Sequence, residues 1–272
     1  MTVLASGSAG NSVLVESDGT RVLVDAGLAP RVLAARMERG SVGRRLEDIT
    51  AVVLTHEHGD HASGARALAS ADVPIFATEG TARALGLKAA RPIAAGQRAR
   101  VGAFDVIPVR VPHDAAEPVG IVLESAQGRV GVLFDCGHPT AEVARGFAGC
   151  DVLVLEANHD AELLRAGAYP PSLKRRIGGT QGHLSNEQAA TFLRLLGDGL
   201  PRVLVLAHLS EQTNRPRLAR QAVERVIGFG PKRARILCAS QGSPTPPVTV
   251  SADRVEMAAE DDHRQLRLVF PD

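Results

Sequence analysis

The sequence predicts a mixed α and β domain, on two observations. Short apolar runs of strand length alternate with amphipathic runs of helical period along the 272 residues, and no Pro- or Ser-rich linker divides them. The strand-like runs also fall into two successive groups, each with its own helices. That order suits two sheets packed face to face and covered outside by helices, within one domain over 1–272. A chain of this length buries a core large enough to need no staples.

Residues 2–5, 11–16 and 21–25 read as strands. The Gly-rich stretch Ala5 to Ser12 between the first two lacks the Gly-Lys-Ser/Thr ending of a nucleotide cradle and reads as a tight turn. Pro30 to about Arg39 is helical, with Pro in the first turn and Gly40 as a stop. Residues 62–70 and 78–86 read as helices on either side of an extended 74–77, and a meander of strands runs from about 97 to 134. An apolar run at 151–155 precedes helical runs near 160–166, 171–177, 186–196 and 215–227. The strand 202–207 interrupts them, and 234–238 and 264–269 look extended.

The chemistry concentrates at 55–61, Thr-His-Glu-His-Gly-Asp-His, directly after the apolar run Ala51 to Leu54. Imidazole and carboxylate together suit Zn, Mn or Fe, whereas Mg or Ca prefer oxygen alone. His56 and His58, two residues apart, can chelate one ion; Asp60 and His61, from the turn that follows, can face a second. One loop cannot close two coordination shells. Three distant residues share its placement at the end of an apolar run: His113 after Val106–Pro112, Asp135 after Arg129–Phe134, and His208 after Arg202–Ala207.

Taken in series, these residues resemble the motifs of the metallo-β-lactamase superfamily of dinuclear hydrolases over almost the whole chain. The resemblance implies a four-layer αββα sandwich. It also implies two divalent ions, one held by His56, His58 and His113 and the other by Asp60, His61 and His208, with Asp135 bridging them. Asp25, in Leu23-Val-Asp-Ala-Gly27, would orient an imidazole without touching a metal. Three further stretches resemble the YycJ-like (WalJ-like) subgroup, which is associated with exonuclease action on DNA. They are the Gly-rich opening, Leu206 to Asn214, and the series Leu155–Asp160, Tyr169–Ile177 and Gly182–Ala190. The same region is similar in layout to tRNA 3′-end-processing endonucleases (tRNase Z), where a Glu after a strand works with a His. That likeness gives Glu156 and His183 as a pair, with His183 a general acid held protonated by the carboxylate. Asp60 would orient the attacking oxygen.

The whole chain carries 31 basic and 30 acidic residues, which is no nucleic-acid signature. From Arg165 to Arg235, however, 13 Lys and Arg stand against 4 Asp and Glu. Lys174, Arg175, Arg176 and Arg215 are candidates there to hold a phosphate backbone, so nucleic acid or another phosphodiester is the expected partner. A small-molecule hydrolase of thioester or lactam type, and a non-hydrolytic cofactor-biosynthesis protein, are the competing readings. The three cysteines form no C-x-x-C, and Cys136 reads as a small buried apolar residue. No leader or membrane span is visible, so a cytoplasmic protein is expected. His138 reads as turn structure, His159 as part of a helix start, and His263 as solvated.

Overall fold

Apolar residues on both faces of the central strands build two buried sheets. The structure, a computed structural model, describes residues 1–40, 44–228, 234–251 and 255–257. The first half forms β1 (Thr2–Ala5), β2 (Ser12–Ser17), β3 (Thr20–Val24), α1 (Pro30–Gly40), β4 (Ala51–Val53), α2 (Gly59–Ala62), α3 (Ala65–Ser70), β5 (Ile75–Ala77), α4 (Glu79–Leu85) and β6 (Arg91–Pro92). Its sheet runs in chain order from β1 to β6, antiparallel to β3 and parallel beyond.

The second half forms β7 (Ala99–Val101), β8 (Phe104–Arg110), β9 (Val119–Ser125), β10 (Gly128–Leu133), α5 (Ala141–Phe147), β11 (Val152–Glu156), α6 (Ala161–Ala166), α7 (Pro171–Ile177), α8 (Asn186–Leu196), β12 (Val203–Ala207), α9 (Pro216–Ile227) and β13 (Arg235–Cys238). The strands β7 to β13 make the second sheet in chain order, antiparallel to β10 and parallel from there on. A short hairpin of β14 (Val248–Val250) and β15 (Val255–Met257) stands apart.

Successive strand residues point to opposite faces, which divides the core into three layers of side chains. Val13, Val24 and Val53 of the first sheet pack with Val106, Ile121, Val132, Val154 and Val205 of the second. Leu14, Leu23 and Val52 face outward onto Leu33, Met37 and Leu68 of the helices. On the other side, Leu133, Leu153 and Leu204 meet Phe147, Phe192 and Val223. This is the αββα sandwich.

Three details depart from the sequence reading. The helix expected at 62–70 begins earlier, at Gly59, and breaks between α2 and α3, where Gly64 N–H donates to Ala26 O at 2.8 Å. Asp60 and His61 therefore lie inside a helical turn. A helix at α5 was not foreseen; Thr140 caps it by accepting from Val143 N–H. The start of α6 is capped by Asp160, whose carboxylate accepts from Glu162 and Leu163 N–H, and not by His159, which is buried. The strand expected at 264–269 and His263 lie outside the described residues.

Candidate metal centre

Parallel strands end on a common edge, and the polar residues gather there. Asp25 follows β3, His56 lies just past β4, Asp135 just past β10, Glu156 ends β11 and His208 follows β12. Asp25, Asp135 and His208 all have left-handed backbone, with φ of 62°, 50° and 55°. Non-glycine residues rarely adopt this conformation, and Asp and His tolerate it best. Three such residues at one edge mark a place where the backbone is bent to aim side chains inward.

The donors converge on Asp135. His56 Nε2 and His61 Nε2 each lie 3.1 Å from Asp135 Oδ2, and His113 Nε2 lies 3.5 Å from it. His58 Nδ1 is 3.2 Å from His113 Nε2. On the other side, Asp60 Oδ2 is 3.3 Å from His61 Nε2 and 3.2 Å from His208 Nε2. The seven residues thus form two groups that share Asp135: His56, His58 and His113 in one, Asp60, His61 and His208 in the other. His56 Nε2 and Asp135 Oδ1 are buried without a hydrogen-bond partner, which is costly unless a cation meets them. The donor set, its spacing and these orphaned atoms fit divalent metal ions.

Hydrogen bonds on the far side of each ring fix which nitrogen faces the site. Thr55 Oγ1 donates to Asp25, so it accepts from His56 Nδ1 at 3.0 Å. His61 Nδ1 donates to Asp25 Oδ2 at 2.7 Å, His113 Nδ1 to Gly182 O at 3.0 Å, and His208 Nδ1 to Glu156 Oε1 at 3.0 Å. In all four rings Nδ1 carries a proton, which leaves Nε2 as the nitrogen that would meet a metal. Asp25 is fully buried and accepts from Thr55 N–H, Thr55 Oγ1–H and His61 Nδ1–H, touching none of the inward-facing nitrogens.

Burial and the charges around Asp135 set the protonation of these residues in the metal-free protein. Burial pulls His61 and His208 down, but Asp135 outweighs it in both, helped by Asp25 for His61, and both end well above the usual imidazole value. Burial wins at His56, His58 and His113, which are lowered. Asp60 is held far below the usual carboxylate range: burial opposes this, but hydrogen bonds from His208 and His61 prevail.

Glu156 and His183 do meet, with His183 Nδ1 2.8 Å from Glu156 Oε1 and 3.1 Å from Asp135 Oδ1. Burial would lower His183, but Asp135 and Glu156 push it up to about 9. Glu156 itself is fully buried. Its Oε2 accepts from Cys136 and Leu184 N–H at 2.9 and 3.1 Å, and its Oε1 serves both His183 and His208.

Other contacts were not read from the sequence. The Gly-rich turn lies beneath the site: Ser6 Oγ accepts from His208 N–H at 2.7 Å, and Asn11 N–H donates to Asp60 O at 2.7 Å. Asn11 Nδ2 reaches within 3.3 Å of His61 Nε2, and Asn158 Nδ2 donates to His208 O at 3.0 Å. The signal was the Ser-Gly-Ser-x-Gly-Asn order itself, whose short polar side chains bond backbone groups. Cys136 is buried, as expected, its thiol pushed up to about 12 chiefly by burial. His138 Nδ1 bonds Thr180 O.

The basic candidates separate. Arg176 pairs with Asp114, the residue after His113, at 2.7 Å. Lys174 Nζ donates to Arg165 O, and Arg215 Nη1 donates to Glu211 O and Asn214 O. Arg175 is exposed.

The fold and this donor set define a metal-dependent hydrolase, and residues 20–209 match the family model of the beta-lactamase superfamily domain. The chain belongs to that superfamily. Among its relatives are exodeoxyribonuclease YycJ of Bacillus anthracis, 35% identical over 240 residues, covering 84% of this chain and 90% of that one. Exodeoxyribonuclease WalJ of Streptococcus pneumoniae is 33% identical over 229 residues, covering 80% and 84%. In fold, the chain is similar to the metallo-β-lactamase fold protein YhfI of Bacillus subtilis, with a TM-score of 0.69, 19% identity, and coverage of 89% and 97%. Human tRNase Z, short form, gives 0.59, 17%, 90% and 98%.

Proposed function

We propose that this protein is a two-metal phosphodiesterase that removes nucleotides from DNA ends. The observation that carries this reading is the Glu156–His183 pair set against Asp135. An alkoxide leaving group needs a proton, whereas the thiolate of a thioester departs without one. With Nδ1 engaged by Glu156, Nε2 of His183, whose side chain is 20% exposed, is the nitrogen left to give that proton. The exodeoxyribonuclease names of the two relatives point the same way.

His56, His58 and His113 would hold one ion and Asp60, His61 and His208 the other, with Asp135 between them. Imidazole and carboxylate donors favour Zn or Mn, with Fe also compatible. Such ions polarise the phosphoryl oxygens and bring a water towards neutral pKa. Asp60, beside His61 and His208, would orient the attacking water. Glu156 holds His183 as the imidazolium before the reaction; as the P–O bond to the leaving group breaks, that proton passes to the departing oxygen, leaving neutral imidazole that solvent then reprotonates. Asp25, Thr55 and Gly182 hold the imidazoles in register and take no part in proton movement. The cysteines are free thiols, which suits a reducing compartment; among the described residues no helix is long and apolar enough to cross a membrane. We place the enzyme in the cytoplasm.

The test offers purified, Mn- or Zn-loaded protein 5′-labelled single-stranded DNA, duplex DNA, RNA, a chromogenic phosphodiester, a thioester and a lactam. Stepwise shortening of DNA together with chromogenic diester hydrolysis is expected. Turnover of the thioester or lactam alone would overturn the proposal.

A further inference from the structure

We propose that Arg176 is a specificity residue that binds the phosphate next to the scissile one, so that the enzyme prefers polynucleotides over isolated diesters. This rests on the phosphodiesterase reading.

Two independent ties place Arg176 at the rim of the site. Its main chain packs on Gly182: a Cβ at Gly182 would lie 2.1 Å from Arg176 O, so no side chain fits between them. Gly182 in turn accepts from His113 Nδ1 and precedes His183. Its side chain is fixed separately, Nε donating to Asp114 Oδ2 at 2.7 Å and Nη2 to Oδ1 at 3.4 Å. The same Asp114 Oδ1 lies 3.4 Å from His113 Nε2, one of the nitrogens that faces the metal site.

The guanidinium is therefore one carboxylate away from the His113-side donors. With Asp114 standing between it and those donors, it is placed for the phosphate next to the scissile one and not for the scissile phosphate itself. Its side chain is 57% exposed, and an exposed ion pair of this kind holds weakly. A phosphate entering the site can take over the guanidinium, whose planar fork matches two phosphate oxygens. Lys174 and Arg215 each turn a donor group to backbone carbonyls, and among the described residues neither has such a carboxylate link to the candidate ligands.

Three substrates separate the roles: a chromogenic diester, a dinucleoside monophosphate, and that dinucleotide carrying an added terminal phosphate at its 5′ or 3′ end. The wild type should prefer one of the phosphorylated dinucleotides. Arg176→Ala should lower kcat/KM on it by about 10- to 100-fold, the scale of a charge-assisted hydrogen bond. The variant should keep its metal and stay within about twofold on the other two substrates, and Arg176→Lys should restore part of the preference, having charge but no fork. Equal losses on all three would mean that Arg176 only props the His113 loop through Asp114, and unchanged rates would mean that it is merely solvated; either overturns the proposal. A metal-loaded wild type that hydrolyses none of the three would instead sink the phosphodiesterase reading, and this inference with it.

Discussion

Replacing Glu156 with Gln should weaken metal binding as well as proton donation. The carboxylate is fully buried and accepts four hydrogen bonds: two from Cys136 and Leu184 N–H on one oxygen, two from His183 and His208 Nδ1 on the other. An amide has one accepting oxygen. The backbone N–H groups cannot turn, so the oxygen stays with them and the NH2 faces the two imidazoles. His208 must then face an N–H against an N–H, lean on Asp135 Oδ1, 2.8 Å from its Nδ1, or move its proton to Nε2, the nitrogen 3.2 Å from Asp60 Oδ2, and lose the lone pair there. Each buried donor left unpaired costs about 1–3 kcal/mol. Loss of a carboxylate behind a metal-ligating His weakens metal binding by about 10- to 100-fold. Competition with a fluorescent chelator on apo-protein measures this directly. Glu156→Gln should show that loss at the site of Asp60, His61 and His208, while His183→Ala should not. Wild-type affinity in Glu156→Gln would refute the shared role, and would leave Glu156 as a partner of His183 alone.

Other perturbations separate the remaining parts. His183→Ala should keep its metal and lose about 10²–10⁴-fold in phosphodiester turnover, with a smaller loss on nitrophenyl esters, whose leaving group departs without a proton; steady-state rates on both substrates decide it. Gly27→Ala should unfold the metal loop, because a Cβ there would sit 1.8 Å from Asp60 O; circular dichroism and metal content should fall together, and retention of both would contradict the packing. His159 is buried, and burial pushes its pKa down to about 4. Between about pH 6.5, the usual imidazole value, and pH 4 the unfolded chain binds the extra proton, so this group's contribution is full above that window and lost as pH falls, by at most about 3 kcal/mol. Urea unfolding of metal-free wild type and His159→Gln at pH 7 and 5 should show the wild type losing more.

The candidate ligands were legible because they sit in the segments that follow apolar runs, and a strand's end is where a chain turns polar side chains inward. Asp60, Asp135 and the candidate histidines lie together, and Asp25, which the family resemblance supplied, lies behind them. What spacing could not carry was the direction of each nitrogen, since that depends on partners such as Thr55, Gly182 O and Glu156 from other strands. The left-handed backbone at Asp25, Asp135 and His208 was equally hidden, because Asp and His occur freely in ordinary turns. Glu156 was read as a partner of His183 alone because the His208 contact depends on β11 and β12 lying side by side in parallel. The basic run from Lys174 to Arg176 was seen as one cluster, although a helix divides it: Lys174 turns back to Arg165 O while Arg176 reaches Asp114.

Anomalous diffraction from crystals grown with Mn or Zn tests the central claim most directly. Two peaks about 3.5–4 Å apart are predicted, one against His56, His58 and His113, the other against Asp60, His61 and His208, with Asp135 touching both. A single peak, or one lodged among Asp135, Glu156, His183 and His208, where the structure also gathers four possible ligands, would contradict it and make His183 a metal ligand instead of an acid.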